Sequence, residues 1–453
     1  MSNKTQPSKL SRRHFLGTSV ATAASIQILP SHVFSQSPNE KLNLAFVGAG
    51  GRAEANINGC KSAGANIYAL CDVDTAKSAK KVGENPQAKF YTDYREMLEK
   101  EADNIDGVVV STPDHTHAVA AMAALKLGKH VYCEKPLTRT ISEARALRDA
   151  AREAGVVTQM GNTGHAAEGA RRTNEYIRSG SLGEITEIHC VTNRPVWPQD
   201  VLRGPAKPAP DNINWDLWIG PVEFKPYADG IAPFKWRGYI DYGTGALGDM
   251  GAHIIDHPVW AFGLGMPETV EVKIDRQTPG SELYTHPRSC KITYHFAATA
   301  DRPAIKLVWF DGKTYQIPRP PGLDGKDKDG NLEKNISNGC VYYGSKHVMM
   351  HGSHGGAPRI LTNKDSFQQP EKTEERSPGH YKEWVEGCKA GDPSMAKSNF
   401  DVGSHLTELM LVGCNAALAG DGTKVSYDPE TMKTGNADVD KWANHDYRDG
   451  WSL

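Results

Sequence analysis

Asp249 and His253 stand four residues apart in the stretch Gly243-Thr244-Gly245-Ala246-Leu247-Gly248-Asp249-Met250-Gly251-Ala252-His253. On a helix that spacing places both side chains on one face, about 6 Å apart along the axis. An imidazole beside a hydroxyl can take its proton while hydride leaves the same carbon, and the carboxylate could fix the ring tautomer or the substrate. Two other readings of this helix stay open. Asp249, His253 and His257 could hold a divalent metal, although the Glu of a His-Glu-x-x-His site is missing and Pro258 disturbs the helix end. His253 could also be a hydrogen-bonded structural histidine. A second histidine run, His347, His351 and His354, lies among glycines and reads as solvated polar surface rather than a metal site.

Gly48-Ala49-Gly50-Gly51-Arg52-Ala53 follows an apolar run at 42–47 and precedes a helical stretch. Gly48 allows a sharp turn off a strand, Gly50 lets backbone amides approach a pyrophosphate, and a helix beginning near Arg52 turns its positive end to that charge. Ala53 takes the third position of the fingerprint as an allowed small residue. Asp72 closes the next apolar run, 67–71, where a carboxylate can accept hydrogen bonds from the ribose hydroxyls of NAD and repel the extra phosphate of NADP. Alone, a glycine-rich turn could be an ordinary loop. The strand before it, the helix after it and the acid at this distance together identify an NAD-binding βαβ unit.

These groups need a scaffold that gathers strand ends. Further apolar runs at 107–111, 130–133 and 156–160 alternate with helical patterns such as 118–127 and 142–154, the signature of parallel strands buried on both faces. Residues 184–194 alternate as a strand should. The stretch 194–236 is rich in Trp and Pro; Trp197, Trp215, Trp218 and Trp236 could stack on sugar rings, with Arg194 or Arg237 bonding hydroxyls, or could simply anchor the core. Residues 325–330 read as a charged, solvent-facing turn, and helical patterns recur around 379–384 and at 403–419.

The segment Ser111-Thr112-Pro113-Asp114-His115-Thr116-His117, followed by His130-Val131-Tyr132-Cys133-Glu134-Lys135-Pro136-Leu137, resembles the Gfo/Idh/MocA oxidoreductases, from residue 42 to the end of the chain. The resemblance implies a doubly wound Rossmann domain followed by an α+β domain with an open mixed sheet, hence an α/β chain divided as 37–162 and 163–453. It implies that Lys135 lies beside the nicotinamide and contacts a substrate hydroxyl, with Glu134 placed to orient it, and that Asp249 and His253 complete a catalytic triad. It assigns Gly48, Gly50, Gly51, Arg52, Asp72, Thr112, Pro113, His117, Glu134 and Lys135 to the cofactor, and Asn162, Arg194, Trp236 and Arg237 to a carbohydrate substrate. No metal is expected. A homo-oligomer, paired through the open sheet face, is expected by resemblance only.

The first residues add a constraint. Ser11-Arg12-Arg13-His14-Phe15-Leu16, a weakly apolar run to Leu29 and then Pro30 resemble a bacterial twin-arginine export signal covering residues 1–36. The run is too short and polar to span a bilayer. The leader holds Lys4, Lys9, Arg12, Arg13 and no acid, so its loss moves the formal charge of −2 to about −6. Neither value suits nucleic acid or an anionic membrane as partner. The eight cysteines show no metal spacing and read as buried thiols, with one disulfide left open. Export through the twin-arginine machinery to the periplasm would remove the protein from free NAD. The expected function is therefore a sugar or glycoside oxidoreductase that keeps and recycles its NAD. A glycosidase using transient oxidation, and a non-catalytic sugar binder on the same scaffold, are the alternatives.

Overall fold

A computed structural model describes residues 41–323, 326 and 330–453. The expected export leader, with Arg12 and Arg13, lies outside the described residues, as does most of the charged turn at 325–330. The described part from residue 41 on belongs to one compact unit.

Strands β1 (Asn43–Val47), β2 (Asn66–Cys71), β3 (Lys89–Tyr91), β4 (Gly107–Val110), β5 (His130–Cys133) and β6 (Thr158–Met160) pair in the order β3-β2-β1-β4-β5-β6. Every pairing is parallel. The crossovers carry helices α1 (Arg52–Ser62), α2 (Thr75–Glu84), α3 (Tyr94–Glu101), α4 (Asp114–Lys126) and α5 (Ile141–Ala154). β4 reads GVVV and is buried throughout, as a central strand covered on both faces must be. α5 is held at its start by a capping box, Thr140 with Glu143, and ends on Gly155 in the left-handed conformation.

The pairing register explains why the sequence motifs meet. Val47 pairs with Cys71 and Val110, Cys71 with Tyr91, Val110 with Cys133, and Cys133 with Met160. All six strands therefore end level, and whatever follows them lines one crevice, the usual ligand position of an open parallel sheet.

Beyond α6 (Glu168–Arg178), strand β7 (Ile185–Val191) opens a second sheet. Helices α7 (Trp215–Ile219), α8 (Gly245–Ile254) and α9 (Asp256–Phe262) precede its remaining strands: β8 (Thr269–Asp275), β9 (Ser289–Phe296), β10 (Ile305–Phe310), β11 (Gly339–Gly344), β12 (Val348–Gly352) and β13 (Arg359–Ile360). After α10 (His380–Ala390) and α11 (Phe400–Ala419), β14 (Lys424–Ser426) completes the order β13-β12-β11-β7-β10-β9-β8-β14, and α12 (Ala437–Asp440) follows. The sheet is mixed: β7 and β10 run parallel, the other pairs antiparallel. In β9, Cys290, Ile292, Tyr294 and Phe296 alternate inward, and α11 packs against this side. α11 also touches α5 and α8, and Thr407 Oγ1 accepts a hydrogen bond from Leu137 N. One core joins both sheets, with Val110 and Leu147 in the same cluster as Leu247, Tyr294 and Leu406. That shared core fixes α8 against the crevice.

All eight cysteines are buried and unbridged. Cys190 and Cys340, opposite each other on β7 and β11, have sulfurs 3.4 Å apart. Among the described residues no helix is long and apolar enough to cross a membrane.

Candidate active site

The level strand ends enclose a cavity of about 530 Å³, within the range of small-molecule sites. Gly48, Gly50, Gly51 and Arg52 after β1, Asp72 after β2, Thr112 and Pro113 after β4, and Glu134 and Lys135 after β5 all line it. Gly48 has φ +91°, and a Cβ there would sit 2.8 Å from the Ser111 carbonyl oxygen. Only glycine lets β1 turn this close to β4. The buried Thr112 hydroxyl has no hydrogen-bond partner. A glycine cradle, a helix N-terminus at Arg52 and an unspent hydroxyl suit a dinucleotide.

Asp72 has a second task. Its Oδ2 accepts hydrogen bonds from Ala49 N (2.9 Å) and Gly50 N (3.1 Å), and Oδ1 accepts one from Asp74 N. Those bonds stitch the glycine turn to β2, so two of the amides expected to face a pyrophosphate face Asp72 instead. Burial pushes the Asp72 carboxyl above its ordinary value, against the pull of these amides.

At the other end of the crevice, Lys135 crosses to α8. Its Nζ donates to Asp249 Oδ1 (2.8 Å) and to the Asp249 carbonyl oxygen (2.9 Å). Arg237 Nε stands 3.2 Å from Asp249 Oδ1, and Arg194 Nε 3.7 Å from Oδ2. Burial alone would raise the Asp249 carboxyl, but Lys135 and Arg237 overcome it and hold it below the ordinary value. Arg237 is itself fixed by Asp114, at the start of α4, whose Oδ1 accepts from Nη1 at 2.8 Å. The other Asp114 oxygen accepts from Thr244 N and Thr244 Oγ1, just before α8. Trp236 lies 4.2 Å from the Arg237 guanidinium carbon.

His253 shares α8 with Asp249 but makes no hydrogen bond to it; the carboxylate is spent on cations, so the expected tautomer-fixing contact is not formed. The buried His253 Nδ1 has no partner. Burial first, then Lys135, His354 and Arg52, hold the imidazole well below its ordinary pKa, and it is neutral at neutral pH. The exposed ring of His354 stacks on it with centroids 3.8 Å apart, and His354 N donates to the His253 carbonyl oxygen. His354 adopts φ +58°, unusual for a non-glycine residue.

Other expectations change. Glu134 does not hold the Lys135 ammonium: its carboxylate takes Arg52 Nε at 2.8 Å, Asn56 Nδ2 at 3.1 Å and only the backbone N of Lys135. His117 lies behind the cavity wall, tying the Pro136 carbonyl oxygen to that of Thr112. Asn162 is fully buried with its Oδ1 accepting from Ser398 Oγ, and like Asp249, His253 and Arg194 it is not among the residues that line the cavity. Trp215 and Trp218 stack on each other at 4.7 Å in a buried aromatic cluster with Tyr227 and Tyr242, so they mainly pack; Trp218 and Trp236 reach the cavity. His347 and His351 are buried rather than solvated: His351 lies on the inward side of β12, and His347, just before that strand, packs edge-on against Phe367. Among the described residues no group of three or more His, Cys, Asp or Glu could hold a metal ion.

The geometry agrees with two family matches. Residues 42–162 match the oxidoreductase family's NAD-binding Rossmann fold, and residues 192–305 match its C-terminal α/β domain. Together they cover more than half of the chain. It belongs to the Gfo/Idh/MocA oxidoreductase family. Among curated relatives of this chain, levoglucosan dehydrogenase of Pseudarthrobacter phenanthrenivorans is 30% identical over 36% of this chain and 34% of its own length. Inositol 2-dehydrogenase of Azotobacter vinelandii is 31% identical over 33% of this chain and 45% of its own. An uncharacterized oxidoreductase of Schizosaccharomyces pombe is 27% identical over 49% and 50%. The chain thus spans about half, or less, of the length of these relatives. Among solved structures, an inositol dehydrogenase homolog of Azotobacter vinelandii, complexed with NADH and myo-inositol, superposes with a TM-score of 0.55 at 18% identity, over 86% of this chain and 98% of that one. Levoglucosan dehydrogenase with NADH gives 0.54 at 17%, over 82% and 95%. At these identities they show the fold.

Asp114 and His354 are the site residues that the sequence did not reveal. Asp114 stood inside a quoted motif, but its partner lies 123 residues away. His354 gave only an unusual glycine-flanked setting.

Proposed function

We propose that this chain is an NAD-dependent oxidoreductase acting on a secondary hydroxyl of a sugar or cyclic polyol. The observation that carries the reading is the Lys135–Asp249 bridge, which closes the reactive end of the nucleotide crevice onto the helix bearing His253. Bound nicotinamide would supply the hydride acceptor. Gly48, Gly51, Arg52, Asp72 and Thr112 would hold the dinucleotide. The family's NAD-binding fold and the named activities of its relatives, levoglucosan and inositol dehydrogenases, support the same class.

The chain's own groups divide the proton work. Neutral His253, whose buried Nδ1 has no partner, would accept the hydroxyl proton as hydride leaves the same carbon. Lys135 spends two N–H bonds on Asp249 and keeps one to stabilise the negative charge that develops on the substrate oxygen. Arg194 and Arg237, braced by Asp249 and Asp114, stand ready to bond neighbouring hydroxyls.

The proposal extends to location and economy: residues 1–36 direct the protein to the periplasm, and the NAD stays bound and is regenerated in place. To test the reading, purified protein is supplied with sugars, polyols and glycosides singly while the reduced-nicotinamide absorbance is followed. Growth or bleaching of that band with one hydroxylated substrate supports it. Release of an aglycone with no lasting absorbance change would replace it with redox-neutral hydrolysis, and a nucleotide that never responds would indicate a binder. Lys135→Ala is expected to keep nucleotide affinity within about threefold while losing at least a hundredfold in turnover.

A further inference from the structure

The crevice runs from Thr92, Asp93 and Tyr94, past the end of β3, to Glu134 and Lys135, past the end of β5. Four strand intervals separate these ends, roughly 19 Å at about 4.8 Å per strand. With the reactive end fixed by Lys135, the β3 end is left for the adenosine half of a dinucleotide. That end is not closed by the Rossmann strands alone. Trp451, more than 350 residues beyond Asp72, forms part of its wall beside Leu217 and Trp218.

The segment that carries Trp451 is pinned on several sides. Arg448 donates from Nε to the Gly220 carbonyl oxygen (2.6 Å), from Nη1 to Asp216 Oδ1 and from Nη2 to the Asp216 carbonyl oxygen (both 2.7 Å). Its backbone N bonds the Pro221 carbonyl oxygen, and Lys126 Nζ bonds that of Leu453. The Trp451 ring in turn lies 4.4 Å from the Arg95 guanidinium carbon and 6.3 Å from the Tyr94 ring. Arg95 and Tyr94 begin the helix after β3. A half-buried indole that lines the cavity and is carried on so firmly held a segment is a preformed wall for a planar base.

We propose that Trp451 is a nucleotide-binding residue: it forms the adenosine-side wall of the crevice and strengthens binding of the dinucleotide. The inference rests on the reading that the crevice holds NAD, and its test separates the two. Affinities of the wild type, Trp451→Ala and Trp451→Phe are measured by calorimetry for NAD, ADP-ribose and nicotinamide mononucleotide. Loss of one base–aromatic contact predicts that Trp451→Ala binds ADP-ribose and NAD on the order of tenfold more weakly. Nicotinamide mononucleotide should bind unchanged, and Trp451→Phe should recover most of the loss. Unchanged ADP-ribose affinity in a folded Trp451→Ala, or an equal loss for nicotinamide mononucleotide, overturns the inference. A wild type that binds neither NAD nor ADP-ribose overturns the parent reading as well. If Trp451→Ala does not fold, Trp451→Leu, which fills the wall without an aromatic face, takes its place: weaker ADP-ribose binding with nicotinamide mononucleotide unchanged supports the inference, and unchanged ADP-ribose affinity overturns it.

Discussion

Replacing Asp114 by alanine tests the part of the site that joins the two halves of the chain. The carboxylate is buried and serves three donors: Arg237 Nη1 at 2.8 Å, Thr244 Oγ1 at 2.7 Å and Thr244 N at 3.1 Å. Removing one partner of a buried ion pair costs about 3–5 kcal/mol, and two further bonds to a charged acceptor would add about 1.5 kcal/mol or more each if they were independent. They are not independent, and Arg237 keeps Asp249 at 3.2 Å. A loss of about 4 kcal/mol is therefore expected, a large share of the stability of an ordinary domain. Urea unfolding of wild type and variant at one pH gives the difference. Freed from Asp114, Arg237 should draw on Asp249 and compete with Lys135, so kcat/KM should also fall by more than tenfold. A stability change under 1 kcal/mol together with kcat/KM within twofold would refute the bracing role. Asp114→Asn, which keeps an acceptor for Thr244, should lie between.

Asp72→Ala removes both the charge facing the ribose end and the bonds to Ala49 and Gly50. Fluorescence titration should show NAD binding weakened and the NADP-to-NAD affinity ratio raised at least tenfold. Acid should destabilise the fold from the histidines inward. Burial depresses His115 and His286 to about 4 and His257 and His380 to about 3, against an ordinary 6.5. Below that ordinary value the unfolded chain binds more protons, so stability falls with pH by up to about 1.4 kcal/mol per unit for each histidine. Asp311, pushed up by burial to about 7, acts in the opposite sense. Together these five groups lower stability by roughly 3 kcal/mol between about pH 7 and about pH 5.5, and His130 and His445, depressed by burial to about 4 and about 3, lower it further. Equal or greater stability at the lower pH, by equilibrium unfolding, would contradict the buried-neutral assignment.

The legible parts of this protein are those where chemistry and fold sit in the same few residues. Gly48, Asp72, Thr112 and Lys135 each close a strand, and strands that end level must bring them together; the apolar runs therefore specified the crevice as well as the sheet. Asp249 and His253 were legible because four-residue spacing is itself a helical contact. Non-local partners were not. Nothing near Glu134 shows that its carboxylate belongs to Arg52, 82 residues earlier, rather than to its neighbour Lys135. His354 looked like a loop residue among glycines, because its value lies in a stacking contact with His253 that only the return of β12 creates. The short β3, with three residues and little burial, carries no strong period, yet it sets the far end of the crevice.

The central claim is that substrate hydrogen reaches nicotinamide at the Lys135–Asp249–His253 site. It is tested most directly by a single turnover with a carbon-perdeuterated form of whichever sugar or polyol proves reactive, followed by quenching and mass spectrometry of the bound nucleotide. The account predicts a reduced nicotinamide carrying one deuteron, formed by the wild type and absent in Lys135→Ala with nucleotide still bound. Product formed while the nucleotide stays unlabelled would contradict it.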